Sequence, residues 1–419
     1  MPEQRLTQQV ADAFLPRPPA VLGVAVSGGG DSMALLHLLH MLSTLHGTKL
    51  RVVTVDHGLR PEAAAEAKMV ADFCCGLGLR HDVLVWEGWD GTGNLQDAAR
   101  RARYELMGAW GRSNKIDAIA VGHTADDQAE TVLMRLARRS GVDGLAGMKR
   151  RLVMEGMTWV RPLLSASRAE LRAYLTQSKI PWVEDPSNNN DAFERIKARK
   201  ALEALEPLGI TVEALSEVAD NLLEVRKALE WQTFLAARDA IYVNAGAVVV
   251  DDHKMRLLPD EIQRRLLVRA MNWISGEHYP ARRKAVFSVL NGLRRGQAGT
   301  AEGCQARRIG GAVWIFREYN AVADIRCAPD ALWDDRWRLS SSDPAQAGKD
   351  IVIRALGEDG LAQCPDWRNC GRPHPVLLST PSVWRDDTLL SAPLAGASQN
   401  WHAEIDGGEE TFFAALLTH

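Results

Sequence analysis

Over the first 150 residues the chain alternates short apolar runs with longer stretches of helical spacing. Val21 to Val26 is a continuous apolar run that predicts a buried strand, and Met33 to Leu39 predicts a helix. Leu50–Asp56, Asp82–Trp86 and Ile116–Val121 predict three more strands. Helical patterns fall between and after them, at Pro61–Leu77, Asn94–Arg112 and Ala125–Arg139. Repeated strand–helix units predict an α/β fold, with a parallel sheet and right-handed crossovers. Ligands of such sheets bind beyond the carboxyl ends of the strands.

The pattern changes near Val183, where Glu184 to Asp191 is polar turn chemistry. Glu194–Leu205 reads as a basic helix and Val212–Ala237 as a longer one. Ile241–Val243 and Ala247–Val250 predict a hairpin, and Pro259–Trp273 and Arg282–Arg295 predict helices. From about residue 330 the segments are short and alternating. Ile351–Arg354, Val376–Ser379 and Thr388–Leu390 read as strands of a small sheet. The expected organisation is a catalytic α/β domain over 1–210, a mainly helical domain over 211–329 and a small sheet-rich domain over 330–419.

A 46% apolar content supports a sizeable core, and the net charge of -3 by itself says nothing about nucleic acid. The distribution says more: Arg135 to Lys200 holds 14 Lys/Arg against 7 Asp/Glu, inside an otherwise acidic chain. Such a segment suits a phosphate backbone, although charge alone favours a solvated face. The six cysteines form no CxxC pair, and the spacing of Cys364, Cys370 and His374 fits no common zinc pattern. The N-terminus lacks a charged-then-apolar signal, and no run of 18 apolar residues marks a membrane span. A reducing cytoplasm is the expected compartment.

Ser27-Gly28-Gly29-Gly30-Asp31-Ser32 sits between the first strand and the first helix. Glycines let backbone N–H groups point at phosphate, and a helix N-terminus favours negative charge. Asp31 stands where a basic residue would neutralise phosphate, which points to a bridging Mg²⁺. Asp56-His57-Gly58 and Gly122-His123-Thr124 follow the second and fourth strands. Arg100, Arg103 and Tyr104 share a helical face, and an arginine fork suits phosphate. Asp127 and Glu130 also share a face, where they suit an ammonium group, Mg²⁺ or simply a helix N-terminus. Arg195 and Arg199, four apart, suit nucleic acid or pyrophosphate, or solvent alone.

Together these motifs resemble the tRNA(Ile)-lysidine synthetase family, within the PP-loop ATP pyrophosphatases. The resemblance runs through Val21–Ser32, Asp56–Arg60, Asn94–Tyr104, Gly122–Met148, Arg161-Pro162-Leu163-Leu164 and Glu184–Asn188. It is most specific from Gly122 through Gly144-Leu145-Ala146-Gly147-Met148. Two positions depart from the family pattern. Arg139 stands where the family has glycine in Arg-Gly-Ser/Thr-Gly, and Ile196 stands where it has asparagine in Arg-Asn-x-x-Arg.

The resemblance implies a ligase that joins lysine to C2 of the wobble cytidine of tRNA(Ile) with a CAU anticodon. ATP first adenylates the base with release of pyrophosphate; lysine then displaces AMP. It further implies ATP binding by Ser27, Gly28, Gly29, Gly30, Asp31, Ser32, Asp56, His57, Arg103, Gly122 and His123. Asp127 and Glu130 would hold lysine, Asp31 Mg²⁺, and Arg195 and Arg199 tRNA or pyrophosphate. Asp31, Arg103, His123, Asp127 and Glu130 are the expected catalytic set, and a homodimer is compatible with this reading. The rival readings are another tRNA-modifying or amidating PP-loop enzyme, or a tRNA-binding protein without activity.

Overall fold

The computed structural model describes residues 2–58, 62–87, 89, 95–154, 156–184, 194–277, 281–343 and 350–417. Arg60, Asn94 and the turn over 185–191, all named above, lie outside the described residues. The chain divides into two compact units, Met1–Arg226 and Lys227–His419.

The first unit holds helices α1 (Pro2–Asp12), α2 (Gly30–His46), α3 (Ala63–Gly76), α4 (Leu95–Ser113), α5 (Ala125–Ala137), α6 (Val142–Leu145), α7 (Arg168–Gln177) and α8 (Glu194–Leu205). Its strands are β1 (Val21–Ala25), β2 (Lys49–Asp56), β3 (Arg80–Val85), β4 (Ala118–Val121), β5 (Arg151–Met154) and β6 (Met157–Val160). They form one sheet in the order β3-β2-β1-β4-β6-β5. All neighbours are parallel except β5 and β6.

Alternation along the strands explains why both faces are covered. Leu22, Val24 and Val52 pack into a core with Leu35, Leu36, Leu171 and Tyr174 of α2 and α7. Val53, Ile119 and Trp159 point the other way, onto Tyr104, Met107 and Trp110 of α4. Chain order reverses at β1, which is flanked by β2 and β4. The crevice beyond a sheet opens where order reverses, so the loops after β1 and β4 are the ones that line it.

A long helix, α9 (Val212–Ala240), spans the division between the units. The second unit contains β7 (Ile241–Asn244), β8 (Ala247–Asp251), β9 (Gly299–Ala301), β10 (Cys304–Ile309) and β11 (Ala312–Arg317), in the antiparallel order β7-β8-β11-β10-β9. Helices α10 (Asp252–Leu257), α11 (Asp260–Ser275) and α12 (Arg283–Arg294) accompany it. The segment expected to be mainly helical therefore also carries a five-stranded sheet. The β7–β8 hairpin matches the expected one, whereas β9 is three residues long and β10 carries Arg307 and Arg308 side by side, so neither shows a strand period.

Further on, Val352–Ala355, Pro381–Arg385 and Thr388–Ser391 pair in a small antiparallel sheet with Arg326–Cys327. Val376–Ser379, expected as a strand, lies instead at a short helix, His374–Leu378. Pro375 in its first turn is preset for a helix start, and a four-residue apolar run does not distinguish strand from buried helix. Among the described residues no helix is long and apolar enough to cross a membrane.

Candidate active site

The loop after β1 is shaped by its own backbone. Gly28 takes φ +85°, a left-handed conformation that costs glycine little. Ser32 Oγ donates to Gly29 O at 2.8 Å and accepts from Ser27 N at 3.2 Å, which ties the loop onto the first turn of α2. No side chain caps α2 at Gly29. Its first amides and the helix dipole therefore form an end that favours an anion. Val183 N supports the loop from behind, donating to Gly28 O at 3.0 Å.

The loop after β4 lies against the first. A side chain at Gly122 would place its Cβ 3.1 Å from the carbonyl of Asp31 and from Ser32 Cα, so only glycine fits there without displacement. His123 follows. Its Nδ1 accepts from Arg161 Nε at 3.0 Å. Burial, aided by Arg161 and opposed by Asp127, pushes its imidazole far below the usual range. Thr124 then caps α5 in a reciprocal box: Asp127 N donates to Thr124 Oγ1 at 3.4 Å, and Thr124 N donates to Asp127 Oδ2 at 2.9 Å.

Asp31, Asp127 and Glu130 converge on one residue that sequence reasoning did not single out, Arg168. Its Nη1 donates to Glu130 Oε1 at 2.8 Å, its Nη2 to Asp127 Oδ1 at 2.6 Å and its Nε to Asp31 Oδ2 at 3.4 Å. Arg199 also donates to Glu130 Oε1, at 3.0 and 3.1 Å, and Arg195 lies 4.0 Å from Asp127 Oδ1. Burial pushes the Asp31 carboxyl up to about 6 even against the pull of Arg168. Asp127 goes the opposite way: burial alone would raise it, but Arg168 and the Thr124 amide hold it low. Both oxygens of Asp127 are thus engaged inside the protein. Glu130, only 1% exposed, keeps Oε2 without a hydrogen-bond partner. Among the described residues no group of His, Cys, Asp and Glu is placed to hold a metal by itself.

Asp56 closes its own turn, accepting from Gly58 N at 2.8 Å. His57 stands edge-on to Trp86, and burial and the charge of Arg103 lower its pKa. Arg103 is therefore within electrostatic reach of His57. The only sequence sign of Arg168 is indirect. Ser167 and Glu170 form a capping box that fixes Arg168 as the first residue of α7. Arg161 was visible as part of Arg161-Pro162-Leu163-Leu164, although its hold on His123 was not.

A family model described as a PP-loop domain matches residues 2–205. A tRNA(Ile)-lysidine synthase from Ruegeria pomeroyi is 49% identical over 416 residues, covering 99% of this chain and 98% of that protein. The chain belongs to the tRNA(Ile)-lysidine synthase family. Others of that name align at 33% identity in Wolbachia pipientis wMel (89% of this chain, 88% of that protein) and at 37% in Zymomonas mobilis (71% and 89%). Against the lysidine synthase pattern, Arg139 keeps a glycine-like backbone, with φ +57°. Ile196, at the asparagine position, is buried. The Gly144–Met148 segment is held by α5: Gln128 bonds Met148 at both N and O, and Arg135 donates to the carbonyls of Gly144 and Gly147.

Proposed function

We propose that this lysidine synthase activates C2 of the wobble cytidine of tRNA(Ile) bearing a CAU anticodon, and replaces the C2 oxygen with the ε-amine of L-lysine. The full-length similarity to the Ruegeria pomeroyi protein carries this reading. In the first step the C2 oxygen attacks the α-phosphorus of ATP and pyrophosphate leaves. In the second, lysine Nζ attacks C2, the C2–O bond breaks, AMP departs with the oxygen, and the amine gives up a proton.

The residues suit these steps. The amides of the Ser27–Ser32 loop and the α2 end would stabilise pyrophosphate as its charge develops. Gly122 and His123, with Asp56, His57 and Arg103, would frame the nucleotide. Asp31 offers one carboxylate, which fits the way Mg²⁺ is held at ATP sites, by one or two carboxylates plus phosphate and water. Such an ion would neutralise triphosphate charge. Glu130, through its unpartnered Oε2, would receive the lysine side chain with Asp127 behind it. Arg195 and Arg199 would pass to tRNA or pyrophosphate when substrate enters.

We assign the chemistry to residues 1–210, and tRNA placement to 211–329 and 330–419. Of the basic clusters in the later segments, Arg264 and Arg265 are buried on Glu261 and Arg308 pairs with Asp252, so these serve the fold. Arg282, Arg283 and Lys284 are exposed and are the better tRNA contacts. All six cysteines are free, as suits a reducing cytoplasm. The test is to incubate the protein with ATP, lysine and a CAU tRNA(Ile) transcript and analyse the nucleosides. A lysine adduct with one AMP and one pyrophosphate per event is expected. A sulfur or ammonia adduct, or no adduct, would overturn the reading.

A further inference from the structure

We propose that Arg168 is a positioning residue that links the two half-reactions, by holding the carboxylate of the phosphate loop and the lysine-site carboxylates in one geometry. This rests on the function proposed above.

Three carboxylates from two separate helices meet one guanidinium: Asp31 at the start of α2, and Asp127 and Glu130 on α5. An arginine fork presents donors in a fixed plane, so it can set the spacing between acceptors as a lysine ammonium cannot. The backbone of Arg168 is itself fixed. Its amide donates to Asp126 Oδ2 at 2.8 Å, which stitches the start of α7 to the start of α5, and the Ser167–Glu170 box caps the same turn.

The consequence for lysine lies in which oxygens remain. Arg168 takes Oδ1 of Asp127 and, with Arg199, Oε1 of Glu130, while the helix cap takes Oδ2 of Asp127. Oε2 of Glu130 is then the buried acceptor of the pair that has no hydrogen-bond partner. Arg168 thereby confines an incoming ammonium group to one oxygen. It also prevents Asp127 and Glu130 from facing each other as an unbalanced pair of charges. Asp31, on the same fork, keeps its place beside the phosphate loop.

Arg168→Lys tests this in the full-length protein. It keeps the charge that the buried carboxylates need but removes the fork. The expected result is a folded enzyme with near-normal ATP KM, a lysine KM raised about tenfold or more, and adenylation slowed on the order of 100-fold, the cost of a small misplacement. Arg168→Gly with added methylguanidinium is the second arm, and partial recovery of lysine-adduct formation is expected. Wild-type lysine KM and adenylation rate in Arg168→Lys would overturn the proposal. So would losses in both variants that follow thermal stability alone, with no split between lysine and ATP. If the wild type itself formed no lysine adduct, the function would fail rather than the role of Arg168.

Discussion

Arg161 Nε donates to His123 Nδ1 at 3.0 Å, which leaves the imidazole proton on Nε2. Arg161 is 5% exposed and its guanidinium is itself anchored on Lys149 O at 2.6 Å, so the cation is held beside the ring where a second proton would go. His123 therefore stands at the end of β4 as a neutral donor, suited to a hydrogen bond with phosphate or nucleotide rather than to proton uptake.

This has a signature in stability. The folded imidazole titrates at about 3, against 6.5 in the unfolded chain. Between those values the unfolded state binds the extra proton, so the His123 contribution is present above pH 6.5 and is lost as pH falls. Asp31 acts in the opposite sense. Its folded carboxyl holds a proton up to about 6 against 3.8 unfolded, so its contribution falls as pH rises across that window. Denaturant unfolding of the wild type and of His123→Gln, at about pH 5 and about pH 7.5, separates the two. The wild type should lose more stability on acidification than the variant; equal losses would remove the neutral-histidine assignment.

Asp31 and Glu130 share Arg168 but should fail differently. Asp31→Ala should lower tRNA-dependent pyrophosphate release by roughly 100-fold, the usual scale for removing a group that stabilises developing charge. Glu130→Gln should raise the lysine KM far more than the ATP KM, because Oε2 is the acceptor it alters. Glu130→Gln should also melt lower, since neutralising one partner of a buried ion pair leaves Arg168 and Arg199 short of charge. Steady-state kinetics with each substrate varied in turn check both. Equal effects of Glu130→Gln on the two KM values would count against the lysine role.

Arg139→Gly should stabilise the protein. A left-handed φ of +57° costs a residue with a Cβ about 1 kcal/mol, and glycine escapes that cost. Arg139 is exposed, so little packing is given up. Urea unfolding should show a gain of about 1 kcal/mol, with lysine-adduct formation unchanged. A loss of stability would mean that the arginine side chain contributes more than its backbone costs.

Arg283→Glu with Lys284→Glu should weaken tRNA binding and flatten its salt dependence. Both residues open α12, and the Arg283 guanidinium lies 5.1 Å from the Phe287 ring centre. For every phosphate that is no longer neutralised, the slope of log affinity against log salt should fall by about one unit. Unchanged affinity and slope would place the tRNA elsewhere on the later segments.

The parallel sheet was legible because its strands are apolar runs separated by well-spaced helices, and glycine loops stand at their ends. Asp31, Asp127 and Glu130 could be named from chain position, since helix periodicity puts residues three apart on one face. Their meeting point could not. Arg168 is 38 residues beyond Glu130 in sequence and reaches it because the first residue of α7 is held at the start of α5, its amide on Asp126 Oδ2. The antiparallel strands of the second unit were mostly missed. β9 is three residues long and β10 carries two adjacent arginines, Arg307 and Arg308, so neither offers the clean alternation that marks a strand.

The close approach at Gly122 has a mechanical implication. A methyl group at Gly122 would sit 3.1 Å from the Asp31 carbonyl and Ser32 Cα, closer than ordinary contact, so the backbone that bears His123 lies against the end of the phosphate loop. A substituent at Gly122 would need the two loops to part by a few tenths of an ångström, so a side chain there would disturb the phosphate loop as well as its own. Arg195 and Arg199, long and partly exposed above this contact, are the side chains with most freedom to change partners when substrates enter.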